Sequence, residues 1–276
     1  MCYLCTVGQL VRTMAEGERV RGMTLLAGEI YLLRWKERDQ VEVYDVITYR
    51  FQHCLTVPNP GGLTDMTSCE HNRCVYIGDH DAKCVHRLEV QGAITRWAVN
   101  DVPHGLSVNA AHNVIVTCSW VGKIKVFSSR GVSLRELTLP GDIIKPWHVI
   151  QTRNGQFIVC HGDREVPIPR VCLVSLDGRD IVHSHGQPGS DSGQYDLPAR
   201  LAVDDNEFVF VVDIDGRRVT SLSRTLEYLR KVVSRDKLVG WPVRLCLDTQ
   251  RQVLYVAEND WKDYKWSAGR VRVFSV

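Results

Sequence analysis

Five times in this chain a proline is followed three residues later by an apolar residue that opens a strand-like run: Pro60 to Leu63, Pro103 to Leu106, Pro146 to Val149, Pro198 to Leu201 and Pro242 to Leu245. The prolines stand 43, 43, 52 and 44 residues apart. An internal period of about 40 to 50 residues means one supersecondary unit copied around an axis or along a solenoid. That constrains the architecture more than any single motif does.

Each copy carries four runs, clearest after Pro103 as LSVN (106–109), VIVTCSW (114–120), KIKVFS (123–128) and VSLRELTL (132–139). These are β-branched or alternating stretches separated by turn formers, which is the chemistry of strands and hairpins. One repeat is therefore a four-stranded antiparallel meander. The third run recurs at 40–44, 84–88, 123–127, 170–174, 218–222 and 270–274, which makes six blades. Blade one lacks the proline, and Val20 stands in its place. The sixth copy reaches Val276 without a fourth run, and the N-terminal segment supplies it. Gly8, Val11 and Arg12 fall as Gly131, Leu134 and Arg135 do in blade three. A last blade finished by an N-terminal strand, about residues 6–15, closes the ring and removes two sheet edges that would invite aggregation. The expectation is an all-β, six-bladed propeller forming a single domain over residues 1–276.

Composition agrees. The repeat runs through all 276 residues without interruption, and 44% hydrophobic content is ordinary for a globular core. A formal net charge of +2 does not point to a polyanion partner. No run approaches the roughly 18 apolar residues needed to cross a membrane, and there is no Asn-x-Ser/Thr sequon. These features lead to the expectation of a cytoplasmic monomer with no membrane contact. Most of the ten cysteines lie inside strand patterns, as Cys118, Cys160, Cys172 and Cys246 do, where a free thiol packs as a small hydrophobe. Cys69 and Cys74 flank a four-residue turn and face each other across a hairpin in this reading. Cys2 and Cys5 form an isolated CxxC pair. His71, His80, Cys84 and His86 lie close together, but without paired CxxC knuckles they are read as parts of an ordinary blade.

The blade-five stretch from Gly186 to Leu222 resembles an NHL repeat. It has the Gly-rich loop at Gly189, the Gly-Gln-aromatic at Gly193 to Tyr195 and the proline at Pro198. The apolar strand follows from Leu201 to Asp204, then the Asp-containing hairpin from Asp213 to Gly216 and the Arg-apolar pair Arg218–Val219. The other blades keep the frame and lose much of the Asp-Gly hairpin. The resemblance implies a binding platform of the kind found at the C-terminal end of tripartite-motif ubiquitin ligases, where NHL propellers recruit protein or RNA.

In a four-stranded blade, the loops between strands two and three emerge on the same face as those leading into the next blade. Trp35, Trp120, Trp261 and Trp266 fall at the former, and Trp147 and Trp241 adjoin the prolines of the latter, whereas Trp97 lies in a fourth strand. Tryptophan carries a disproportionate share of interface energy, so the rim is read as a recognition face. The hairpins carry eleven basic residues (Arg34, Lys36, Arg38, Lys83, Lys123, Arg164, Arg217, Arg218, Lys262, Lys265, Arg270) and eleven acidic ones (Glu37, Asp39, Asp79, Asp81, Asp163, Glu165, Asp213, Asp215, Glu258, Asp260, Asp263). A mixed rim with aromatic anchors suits a peptide or protein partner. RNA is the first alternative, because WKDYKW (261–266) interleaves bases and rings as a stacking platform does. An enzyme is the second. The segment VPHGLSV (102–108) is similar to the Pro-His-Gly segments that present zinc-binding histidines in the peptide-amidating lyase, another six-bladed propeller. That likeness would make His104 and His148 metal candidates, although the corresponding places in blades five and six hold Arg200 and Arg244. The sequence reading is a non-catalytic module without a cofactor. Its site is Trp35, Trp120, Trp147, Trp241, Trp261 and Trp266 on the rim, with His148, Arg200 and Arg244 at the channel mouth.

Overall fold

The computed structural model describes residues 8–35, 40–163, 166–189, 191–263 and 265–276. Their regular structure is six four-stranded antiparallel sheets with two single-turn 3-10 helices. The first strands are Val20–Leu26, Leu63–Cys69, Gly105–Val108, Pro146–Gln151, Pro198–Val203 and Trp241–Asp248. Each packs against the first strand of the next blade, and the sixth packs against that of blade one, so the six surround a common axis. The apolar core lies between successive sheets. One cluster, for example, joins Ile115 and Ile124 of blade three to Val149, Val159 and Cys172 of blade four. The fold is a closed six-bladed β-propeller.

The N-terminal strand, Gln9–Gly17, is the outer strand of blade six and pairs with Lys265–Ser275, placing Met14 opposite Val271. Expectation and structure agree on the closure, and the strand extends two residues beyond the predicted end. The closing seam has further ties. The buried Arg34 of blade one donates Nη1 to Glu18 O at 2.6 Å and Nε to Glu42 at 2.8 Å, and Nη2 bonds Ala15 O. Val20 is bonded on both backbone groups by the buried side chain of Asn259, its N–H donating to Oδ1 and its carbonyl accepting from Nδ2, each at 2.8 Å. This explains why blade one has no proline, since proline at position 20 would have no N–H for Asn259.

The prolines do not all hold one position. Pro146, Pro198 and Pro242 lie within first strands and pair with His161, Asp213 and Glu258, each followed by a β-bulge. In blade two the equivalent residue is Leu63, opposite Asp79, and in blade three the strand begins only at Gly105, opposite Thr117 and two residues after Pro103. Pro60 and Pro103 belong to the preceding loops. In blade two the extra length is Gly61-Gly62, whose N–H groups both donate to Asp79, at 2.9 and 3.1 Å. Among the described residues, no helix is long and apolar enough to cross a membrane.

Candidate functional site

The bulges place one residue of each first strand at an equivalent level of the ring. These are the partners of Leu33, Gly78, Thr117, Cys160, Val212 and Ala257, namely Gly22, Asp65, Gly105, His148, Arg200 and Arg244. Asp65 is the acid of the group and is buried. It accepts Arg244 Nε at 2.9 Å and the Leu106 N–H at 3.0 Å, with Arg200 Nε 3.8 Å away. Burial works to raise the Asp65 pKa, but Arg200 and Arg244 outweigh it and hold the carboxyl below its ordinary value. Arg244 also donates Nη2 to Thr64 O at 2.8 Å and Nη1 to Val243 O at 2.7 Å, which engages every nitrogen. Burial and the neighbouring Arg200 draw its pKa down to about 9, so it stays cationic at neutral pH. Arg200 is less well held. Nη1 reaches Ala199 O at 2.7 Å, its contacts to Trp147 O and His104 O are both 3.5 Å, and Nε has no hydrogen-bond partner.

His148 donates Nε2–H to Leu106 O at 3.0 Å, and its buried Nδ1 is unpartnered. Burial pushes it down to about 4, so it is a neutral imidazole at pH 7. His104, half-buried, lies with Nδ1 3.3 Å from Val102 O and is likewise lowered to about 4 by burial.

Above this ring opens a cavity of about 350 Å³. Arg19, Arg21, Arg200 and Arg244 supply its cations and Asp215 its acid, while Trp147, Trp266, Leu197, Ile214 and Val243 supply apolar wall. All six predicted rim tryptophans lie on this cavity or one contact from it. Trp147 and Trp266 line it. Trp241 and Trp261 meet Trp266 edge-on, at 6.0 and 5.0 Å between ring centroids. Trp35 carries the Arg21 guanidinium 3.2 Å above its ring centroid, with Arg19 at 5.1 Å. Trp120 packs 5.6 Å from His104. Trp35, Trp120 and Trp261 are 47%, 73% and 45% exposed, so these three present open rings. Trp97 is structural, packed between Tyr76 and Phe127.

The even hairpin charge changes once the chain folds. Asp79 and Asp213 are buried at the ends of second strands and Glu258 at the same register place in blade six, where they fasten the incoming loops. Asp213 accepts the Leu197 N–H at 2.8 Å and Arg218 Nε at 3.0 Å, and Glu258 accepts the Gly240 N–H at 2.8 Å. Arg34 and Arg218 are buried with their acids. Lys36, Glu37, Arg38, Asp39, Arg164 and Glu165 lie outside the described residues, as do Cys2, Cys5 and Tyr264. The cavity's own cations come from first strands and the residue leading into one, not from the hairpins.

Of the cysteine and histidine neighbours in blade two, His86, Cys84 and Asp79 converge within 4.8 Å and are the group among the described residues with the donors for a metal ion. Asp79 already accepts three backbone N–H groups and His86 Nε2, at 3.1 Å. It occupies the place of Asp213 and Glu258, so His86 acts here as the arginines do in blades five and six. His71 stacks on His112 at 4.0 Å, and His80 lies at the surface beside Asp81. Cys69 and Cys74 are register partners, as their spacing suggests, and both are free thiols.

No family model and no curated protein matches this sequence. Solved structures do match. They include a streptogramin B lyase (11% identity over 96% of this chain and 88% of that one, TM-score 0.65) and virginiamycin B lyase from Staphylococcus aureus (12%, 98% and 99%, TM-score 0.65). A third is the PQQ-bound form of aldose sugar dehydrogenase from Streptomyces coelicolor (13%, 96% and 98%, TM-score 0.67). At such identities the likeness carries the propeller fold alone, and the NHL resemblance rests on blade five's residues. Enzymes are among these neighbours, so the fold does not decide between binding and catalysis.

Proposed function

We propose that this propeller is a non-catalytic recognition module that binds a protein or peptide at the channel mouth and its tryptophan rim. The observation that carries this reading is the convergence of six tryptophans from four blades on one cationic cavity, with three rings open to solvent. Buried aromatic and arginine anchors are the side chains that dominate protein interfaces. Arg21 and Arg19 lie against the Trp35 ring, which reduces the ordering cost of an anchor on binding. The ring at the axis favours recognition over zinc-assisted elimination. It offers one imidazole, His148, already committed to Leu106 O, where a catalytic zinc site wants about three converging ligands.

The test is affinity capture from native extract with the parent protein and with Trp120→Ala/Trp261→Ala. These are the most exposed ring of the rim and an exposed ring of the blade-six pair. The reading expects loss of a defined partner with an unchanged melting temperature. Retained capture removes the rim from the site. Salt-sensitive binding to RNA homopolymers transfers the reading to RNA, and stoichiometric zinc with lyase turnover transfers it to an enzyme.

A further inference from the structure

Among the described residues of the channel mouth, Arg200 is a buried cation that shares its acid with a neighbour. Its side chain is about one-tenth exposed, its nearest carboxylate is the one Arg244 already holds at 2.9 Å, and its Nε is unpartnered. Arg19 Nε is a second buried nitrogen without a partner on the same cavity. Buried guanidinium nitrogens are normally bonded, and a cation left without its share of an acid is costly. The shortest bond of Arg200 goes to the carbonyl of the preceding residue, Ala199, and its contacts to other blades are long, at 3.5 and 3.8 Å. A ligand oxyanion would supply the missing charge.

We infer that the cavity receives the C-terminal carboxylate of a peptide, bonded by Arg200 at its floor, with the side chains next to that terminus against Trp147 and Trp266. This rests on the recognition reading above and specifies its ligand. A planar carboxylate matches the fork of a guanidinium. The apolar wall between the arginines suits the carbon skeleton that carries such a group, and it gives a strongly hydrated phosphate dianion little in return for its water. The size points to a chain end, because about 350 Å³ admits a terminus, whereas a chain passing through would need an open groove.

The experiment presents the intact protein with random hexapeptides in three series: free C-terminal acids, the same sequences as C-terminal amides, and amides carrying phosphoserine. The expected result is binders among the free acids, paired amides weaker by about tenfold or more, and Arg200→Gln lowering the acids to the level of the amides. Arg200→Lys, which keeps the charge, retains part of the binding. The unliganded Arg200→Gln protein melts at or above the parent temperature, since it no longer buries an underpaired cation. Equal binding of acids and amides, binding confined to phosphoserine peptides, no binder in any series, or parental affinity in Arg200→Gln each overturns the inference. Its failure is distinguishable from that of the recognition reading. Tryptophan-dependent partner capture without any free-acid preference removes only the carboxylate, and Arg200-dependent acid binding with capture untouched by Trp120→Ala/Trp261→Ala removes only the rim.

Discussion

Asn259 of blade six and Val20 of blade one form a reciprocal pair, the side-chain amide satisfying both backbone groups of a residue 239 positions away. The arrangement is tightly built, since a Cβ on Gly269 would stand 2.6 Å from Asn259 Oδ1 and 2.9 Å from Val20 N. Asn259→Ala would strand two buried polar groups and is expected to cost about 2–4 kcal/mol. Urea unfolding measures this. Asn259→Asp keeps the acceptor for the Val20 N–H but loses the donor, so it should also destabilise the fold. A parental midpoint for Asn259→Ala would show that this seam does not hold the ring.

Asp65 ties its own blade to three others at the axis, through Arg244, Arg200 and the Leu106 N–H. Asp65→Asn is expected to destabilise the fold by about 3–5 kcal/mol by leaving buried arginines without their acid. The paired change Asp65→Asn with Arg244→Met should recover part of the loss, which a double-mutant cycle reads directly. The depressed pKa sets the acid limit of this contribution. It is fully present above the unfolded value near 4 and is lost as pH falls through the lower folded value.

The imidazoles act at milder pH. Burial lowers both His148 and His161 to about 4, while the unfolded chain takes up those protons near pH 6.5. Between these values the unfolded state binds more protons, so stability falls on acidification by up to about 1.4 kcal/mol per pH unit for each histidine. Denaturant titrations at pH 7 and pH 5 should therefore differ, and His148→Gln should flatten the slope. A stability independent of pH across that window would mean these rings are not buried neutral.

The two classes of tryptophan should separate by melting temperature. Trp97→Ala removes a ring wedged between Tyr76 and Phe127, at centroid distances of 5.9 and 6.1 Å, and is expected to cost about 3 kcal/mol. Trp120→Ala changes a largely exposed ring and should stay within about 0.5 kcal/mol of the parent. Calorimetry of the two variants side by side checks the contrast.

How far the site could be read from sequence depended on where the chain bulges. His148, Arg200 and Arg244 were accessible because each follows its proline by two residues, within a strand that the proline itself enters. Asp65 follows Pro60 by five, since Gly61 and Gly62 lengthen the loop, and a count from proline passes over it. The available signal was an acid in the otherwise apolar and hydroxyl run LTDMTS. The third strands were legible because alternation survives burial between sheets, and the N-terminal closure because Gly8 and Arg12 repeat a fourth-strand pattern. The hairpin charges misled for a physical reason: sequence does not distinguish an acid that faces water from one, such as Asp213, that is turned inward to fasten a loop.

Closure also dictates an order of events during synthesis. Met14 lies opposite Val271, 257 residues later, so of the ring's strands the one made earliest is among the last to find its neighbour. Throughout translation its backbone donors and acceptors stand open to any extended segment nearby, whether from this chain or another.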